Sequence, residues 1–171
     1  EATLDLLQSL QPLFPDRELD LALINRADPL FLKKITEHCE LLYGPPEKLQ
    51  ALKLYADGSA LWTKGEYQNG LRQYAAAVAE DPEFAMAHAA LGMSYMSFVY
   101  NDRARGKQHL ERALELADRT SDRERLIIQI NHAEELGTQA QAESLFRLYL
   151  SQYPDDAMVR YNFGSTLMRL G

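Results

Sequence analysis

Apolar positions along the last two-thirds of the chain carry two superimposed periods, one helical and one longer. Gly70, Gly106 and Ala142 are small residues spaced 36 apart. Tyr74, Leu110 and Phe146 are large residues at the same step, and Ala77, Ala113 and Tyr149 follow them. Within each set the three positions stand at i, i+4 and i+7, which is one face of an α-helix. A helix ahead of each of these repeats as well. It carries Gly58, Gly92 and Gly164, with Ile130 in the equivalent place of the third copy. Leu61, Tyr95, Ala133 and Leu167 come three residues later, again on one face.

The breaks between these helices are equally regular. Pro82 and Pro154 mark the ends of second helices, because proline has no N–H to continue the ladder. Asp118 stands where the middle copy would place its proline. Gly65 and Gly137 mark the inner turns. The pattern predicts antiparallel helix pairs. The small residue of a first helix lets the next backbone come close, and the large residue of the second fills the space between pairs. One such hairpin cannot bury its own apolar face, so stacking builds the core. The copies are expected at about 51–84, 85–120 and 121–156, with an incomplete one at 157–171.

The segments YADGSALWTKGEYQNGLRQYAAAVAEDPEFAMAHAALGMSY and AQAESLFRLYLSQYPDDAMVRYNFGSTLMRLG resemble the tetratricopeptide repeat. The resemblance implies a mainly α fold over 46–171, an α-solenoid of antiparallel helix pairs. The departures are local. Asp57 and Gln129 replace a large apolar residue, Ile130 replaces a glycine, and the links after Phe98 and through Thr120–Arg123 are longer than the pattern. The middle of the array is therefore expected to stack less regularly. In that repeat class the first helices line a concave groove. Carried over, the groove positions are Tyr55, Ser59, Trp62, Ala89, Met93, Met96, Ile127, Asn131, Glu134, Tyr161, Asn162 and Ser165. Of the basic clamp that some arrays use to grip acidic chain ends, only Asn162 is matched. The groove reads as apolar and mildly acidic, suited to an apolar or basic peptide or helix. DPEFAMAHAALGMSY, ALELADRTSDRERLIIQI and LYLSQYPDD look like the arrays attached to bacterial serine/threonine kinases and winged-helix regulators. That implies a docking or sensory part of a larger bacterial regulator. No kinase motif is present in the chain.

The first 45 residues read differently. ATLDLLQSLQPLF suits an amphipathic helix, and ELDLALIN suits a buried strand. Pro29 opens a helix through PLFLKKITEHCE, and LLY is a short strand stopped by Gly44-Pro45-Pro46. A small α/β segment over 1–45 is expected, packed on the first repeat helices. PDRELDLALINRADPLFLKKITEHCELLYG is similar to the C-terminal half of minimal nucleotidyltransferase domains. That resemblance places Asp20 as a relic metal ligand. The plainer reading is an acidic residue at a strand edge. One carboxylate does not supply a metal site.

Charge and composition narrow the rest. The formal net charge of −7 argues against nucleic acid as the main partner. No apolar run reaches the ~18–20 residues of a membrane span. Cys39 is the single cysteine and reads as a small buried apolar residue. His38, His88, His109 and His132 show no metal-ligand spacing and read as surface or half-buried helix residues. Asp155-Asp156 suits the positive end of the helix that follows. Met86, Met93, Met96, Met158 and Met168 lie in first helices, either as core filler or as an adaptable binding surface. No enzymatic activity, cofactor or metal is expected of this chain. It begins at Glu1 and ends at Gly171 inside a helical pattern, and reads as a piece of a longer protein. Its expected compartment is the cytoplasm, or outside it if the parent is a membrane-anchored kinase. An uncapped last repeat would also favour self-association.

Overall fold

The computed structural model describes residues 45–168, together with Pro12, Lys33, Lys34 and Glu37. Among the described residues seven α-helices follow one another from Pro46 on: α1 Pro46–Thr63, α2 Tyr67–Glu80, α3 Ala85–Met96, α4 Arg103–Leu116, α5 Asp122–Leu136, α6 Gln139–Gln152 and α7 Ala157–Met168. Among the described residues there is no strand. The expected opening helix, both expected strands, Asp20 and Cys39 lie outside the described residues. Lys33, Lys34 and Glu37 are helical, and Lys33 pairs with Glu37 one turn away at 3.3 Å and also with Asp57 of α1.

Each boundary has a local cause. Pro46 is the first residue of α1, where its fixed φ costs nothing and its missing N–H has no partner to lose. Gly65 turns the chain between α1 and α2 with a φ of 81°, a left-handed conformation open to glycine. α2 stops at Glu80, two residues ahead of Pro82, and α6 stops at Gln152, two ahead of Pro154. Asp118 lies in a short 3-10 turn, Ala117–Arg119, after α4. The chain enters α5 and α6 through reciprocal caps. Ser121 Oγ accepts from the Glu124 N–H while Glu124 accepts from the Ser121 N–H, and Thr138 and Gln141 do the same for α6. The link between α3 and α4 is longer than that between α1 and α2. It passes through Asn101 at φ 48°, and Asp102 then caps α4.

Helices pair in order: α1 with α2, α3 with α4, α5 with α6. Between pairs, α2 lies on α3, α4 on α5, and α6 on α7, while α3 also touches α5. Glycines set the first two pairings. A Cβ added at Gly58 would meet the Tyr74 ring at 2.7 Å, and one at Gly92 would meet Leu110 Cγ at 2.8 Å. The same Cβ atoms would lie 3.2 Å from the Gly70 carbonyl oxygen and 3.1 Å from that of Gly106. In the third pair Ile130 and Ala142 take the places of these glycines, and α5 and α6 meet less extensively. A branched side chain at the crossing keeps the backbones apart.

Among the described residues two apolar clusters follow one another along the chain. One gathers Ala85, Ala89, Ala113, Leu116, Ala117 and Ile128 from α3, α4 and α5. The other gathers Leu126, Ile130, Phe146, Tyr149 and Val159 from α5, α6 and α7. α5 serves both, with Ile128 on one side and Leu126 and Ile130 on the other. Fully buried side chains such as Phe146, Leu110 and Ile128 each contribute about 1.5–3 kcal/mol through loss of apolar surface.

Candidate protein-binding face

The first helices α1, α3, α5 and α7 carry every sequence-predicted groove residue, but these residues differ in what they touch. Tyr55 sits half-buried between the rings of Tyr74 and Phe84, at centroid distances of 5.8 and 5.2 Å. Burial pushes its phenol far above the ordinary range, and the charges of Tyr74 and of Glu124 on α5 act in the same direction.

Ser59 is buried and accepts a hydrogen bond from the Tyr74 hydroxyl at 3.2 Å. Trp62 is half-buried, edge-on to Tyr67 at 4.9 Å and tilted against Tyr74 at 6.4 Å. Tyr74 of α2 therefore gathers Tyr55, Ser59 and Trp62 into one group. Ala89 belongs to the first core cluster. Met96 is only 8% exposed; its side chain fills the space over Gly106, where a Cβ would lie 2.6 Å from Met96 Cγ. Ser59, Ala89 and Met96 are thus packing residues and offer no contact surface to a partner.

Met93, Ile127 and Asn131 are partly exposed, with Ile127 packed against the second cluster. Glu134 is partly exposed and accepts a short hydrogen bond from the Thr166 hydroxyl, which ties α5 to α7 beside Ser165. Tyr161 and Asn162 stand out to solvent, Tyr161 at 74% exposure. Met158 and Met168, also on α7, are exposed. At Gly164 an added Cβ would meet nothing within 4 Å, unlike at Gly58 and Gly92.

The junction of α5, α6 and α7 is held by polar groups that the repeat pattern gave no reason to expect. Arg123 donates to the Tyr149 hydroxyl at 2.8 Å and to Asp156 Oδ2 at 2.6 Å, and Tyr149 donates to Asp156 Oδ2 at 2.7 Å. Asp156 also caps α7, accepting from the Val159 N–H at 3.1 Å. Burial alone would raise the Asp156 carboxyl. The bonds from Tyr149, Arg123 and the Val159 N–H outweigh it and hold the group below the usual carboxylate range. Burial, opposed by the Arg123 bond, moves the Tyr149 phenol up to about 12. The two acidic residues before α7 therefore differ: Asp156 is a cap and an ion-pair partner, whereas Asp155 is exposed.

Two depressions lie away from the first-helix face. One, of about 450 Å³, lies between the α1–α2 turn and the α3–α4 link and is lined by Gly65, Tyr67, Val99 and Tyr100. Beside it Phe98 is 90% exposed and edge-on to Tyr67 at 6.3 Å. The other, of about 590 Å³, lies between α5 and α6 and includes Leu114, His132, Ala133 and Leu145. Among the described residues no group of three or more His, Cys, Asp or Glu is placed to hold a metal ion. No helix among them is long and apolar enough to cross a membrane. Compared with models of known protein families the chain matches none, and no curated protein matches it.

Proposed function

We propose that residues 46–171 form a solenoid of antiparallel helix pairs of the tetratricopeptide type, and that it binds another protein along the face made by its first helices. The observation that carries this reading is the recurrence of one packing solution. Gly58 against Tyr74 and Gly92 against Leu110 are the same contact 34 positions apart on the first helix and 36 on the second. The two core clusters in series, sharing α5, support stacking along an axis instead of closure round one centre.

The contact surface on this reading consists of Met93, Ile127, Asn131, Glu134, Tyr161, Asn162 and Ser165. Its chemistry is mixed: Met93, Ile127 and the Tyr161 ring are apolar, Asn131, Asn162 and Ser165 are neutral and polar, and Glu134 carries a carboxylate, which suits an amphipathic helix or extended segment with a basic residue. Binding of this kind makes the chain a docking part of a larger regulatory protein and requires no chemistry of it. Selection from a random peptide library displayed on phage, with the full chain as bait, tests the reading. Enriched peptides should be apolar with basic residues, and Met93→Glu and Tyr161→Ala should each weaken them about tenfold or more. Peptides that bind both variants as they bind the parent would refute it.

A second reading, self-association through α7, is favoured by the open position at Gly164 beside exposed Met168 and Leu167. Light scattering over a range of concentrations separates the two, since a strict monomer removes the second.

A further inference from the structure

His88 on α3 and His109 on α4 are 21 positions apart and meet through the same nitrogen, Nδ1 to Nδ1 at 3.1 Å. The Nε2 of His88 lies 3.2 Å from the carbonyl oxygen of Pro82. A carbonyl only accepts, so that nitrogen carries the proton. In the neutral ring this leaves His88 Nδ1 bare, and His109 Nδ1 must then carry a hydrogen and donate it. Tyr95 stacks on His109 with centroids 5.9 Å apart. His88 is 7% exposed, so water is a poor substitute for either bond.

We propose that this pair is a proton-operated latch between α3 and α4, shut while it holds at most one added proton and forced open by the second. One added proton is accommodated wherever it lands. On His109 Nε2 it leaves the shared bond unchanged. On His88 it reverses the bond, with His109 taking the Nε2–H tautomer. In both cases a single hydrogen lies between the two Nδ1 atoms. A second proton puts a hydrogen on each, facing each other across 3.1 Å, with two positive charges in a partly buried place. No rotation within the contact relieves that, so the rings must part.

The surroundings lean the same way. Burial lowers the proton affinity of both rings. Arg112 on α4 lowers that of His88 further, against the Pro82 carbonyl and Asp81, which favour its charged form. The charge bearing on His109 is that of His88 itself. Two imidazoles alone do not make a metal centre, and Arg112 beside them opposes a bound cation. The sign follows from linkage. Unfolded imidazoles take protons near pH ~6.5, and the folded pair takes them lower. Stability is whole above that pH and is lost as pH falls below it, by up to about tenfold in the folding constant per pH unit per proton.

Two measurements on the full chain test this. Nitrogen NMR at about pH 8 should show His88 as the Nε2–H tautomer and His109 as the Nδ1–H tautomer, both titrating below pH ~6.5. Urea unfolding between about pH 6.5 and 5 should lose stability as pH falls, with a slope of at least one proton because the folded pair refuses the second, and His109→Gln should reduce that slope by up to about tenfold per pH unit. The glutamine amide keeps a donor for His88 and removes one charge. Two independent titrations near pH ~6.5 would overturn the latch, as would a slope unchanged in His109→Gln. If that variant does not fold, the tautomers decide alone: a hydrogen on His88 Nδ1 in the neutral pair refutes the proposal.

Discussion

Alanine at Gly92 and alanine at Gly164 are the same substitution at equivalent positions of two repeats, and they should change stability in opposite directions. In a helix interior, replacing glycine by alanine stabilises by about 0.5–1 kcal/mol, because the unfolded chain loses freedom. At Gly164 nothing lies within 4 Å of the new methyl group, so that gain should appear in full. At Gly92 the methyl would stand 2.8 Å from Leu110 Cγ, 3.0 Å from the Leu110 backbone nitrogen and 3.1 Å from the Gly106 carbonyl oxygen. Carbon atoms pack at about 3.5–4.0 Å, so α3 and α4 must separate by several tenths of an ångström or Leu110 must move. Leu110 is fully buried and has no free volume to enter. Overpacking of this kind costs about 1–3 kcal/mol. Set against the intrinsic gain, Gly92→Ala should destabilise by up to about 2 kcal/mol. Urea unfolding followed by circular dichroism measures both variants against the parent. The gap between them should be about 1–3 kcal/mol, the overpacking cost itself, with an unchanged m-value. Equal stabilisation by the two alanines would refute the argument that close backbone approach at Gly92 holds the pair together.

Other outcomes follow from the polar contacts. Asp156→Asn removes the charge that answers Arg123 and weakens the bond to Tyr149, and should cost about 2–4 kcal/mol in urea unfolding. Because the Asp156 carboxyl is held below its ordinary range, its contribution is complete above pH ~4 and is lost as pH falls below that toward the folded value. Acid unfolding of the parent should thus be steeper than that of Asp156→Asn. Ser121→Ala removes one half of the α5 cap and should cost about 1 kcal/mol, measured by thermal or urea unfolding.

The positions of the helices were legible because proline, glycine and the alternation of small and large side chains act locally. Pro82 and Pro154 stop α2 and α6 for want of a donor, and Gly65 permits a backbone turn that other residues resist. The pattern marked Gly92 as a close-approach position and Leu110 as a filling one, but expected Leu110 between pairs, whereas it lies against Gly92 within its own pair. Surface availability was less legible. Repeat register assigns a residue to the first helix, but not the degree to which its own pair covers it. Met96 is consumed in filling the space that Gly106 leaves, and Ser59 in bonding Tyr74. Tyr149 follows the apolar rhythm yet donates from its hydroxyl to Asp156, because its ring is long enough to reach past the core. His88 and His109 carry no spacing signal at all. Helix pairing brings them together, and the register of α3 on α4 sets their distance.

The groove assignment meets its most direct test in amide chemical-shift mapping of the full chain during titration with a library-selected peptide. Saturable shifts should concentrate on α3, α5 and α7, around Met93, Asn131 and Tyr161, and leave the outer faces of α2, α4 and α6 unmoved. Shifts confined to those second helices, or to the turn carrying Phe98, would contradict a binding face built from the first helices.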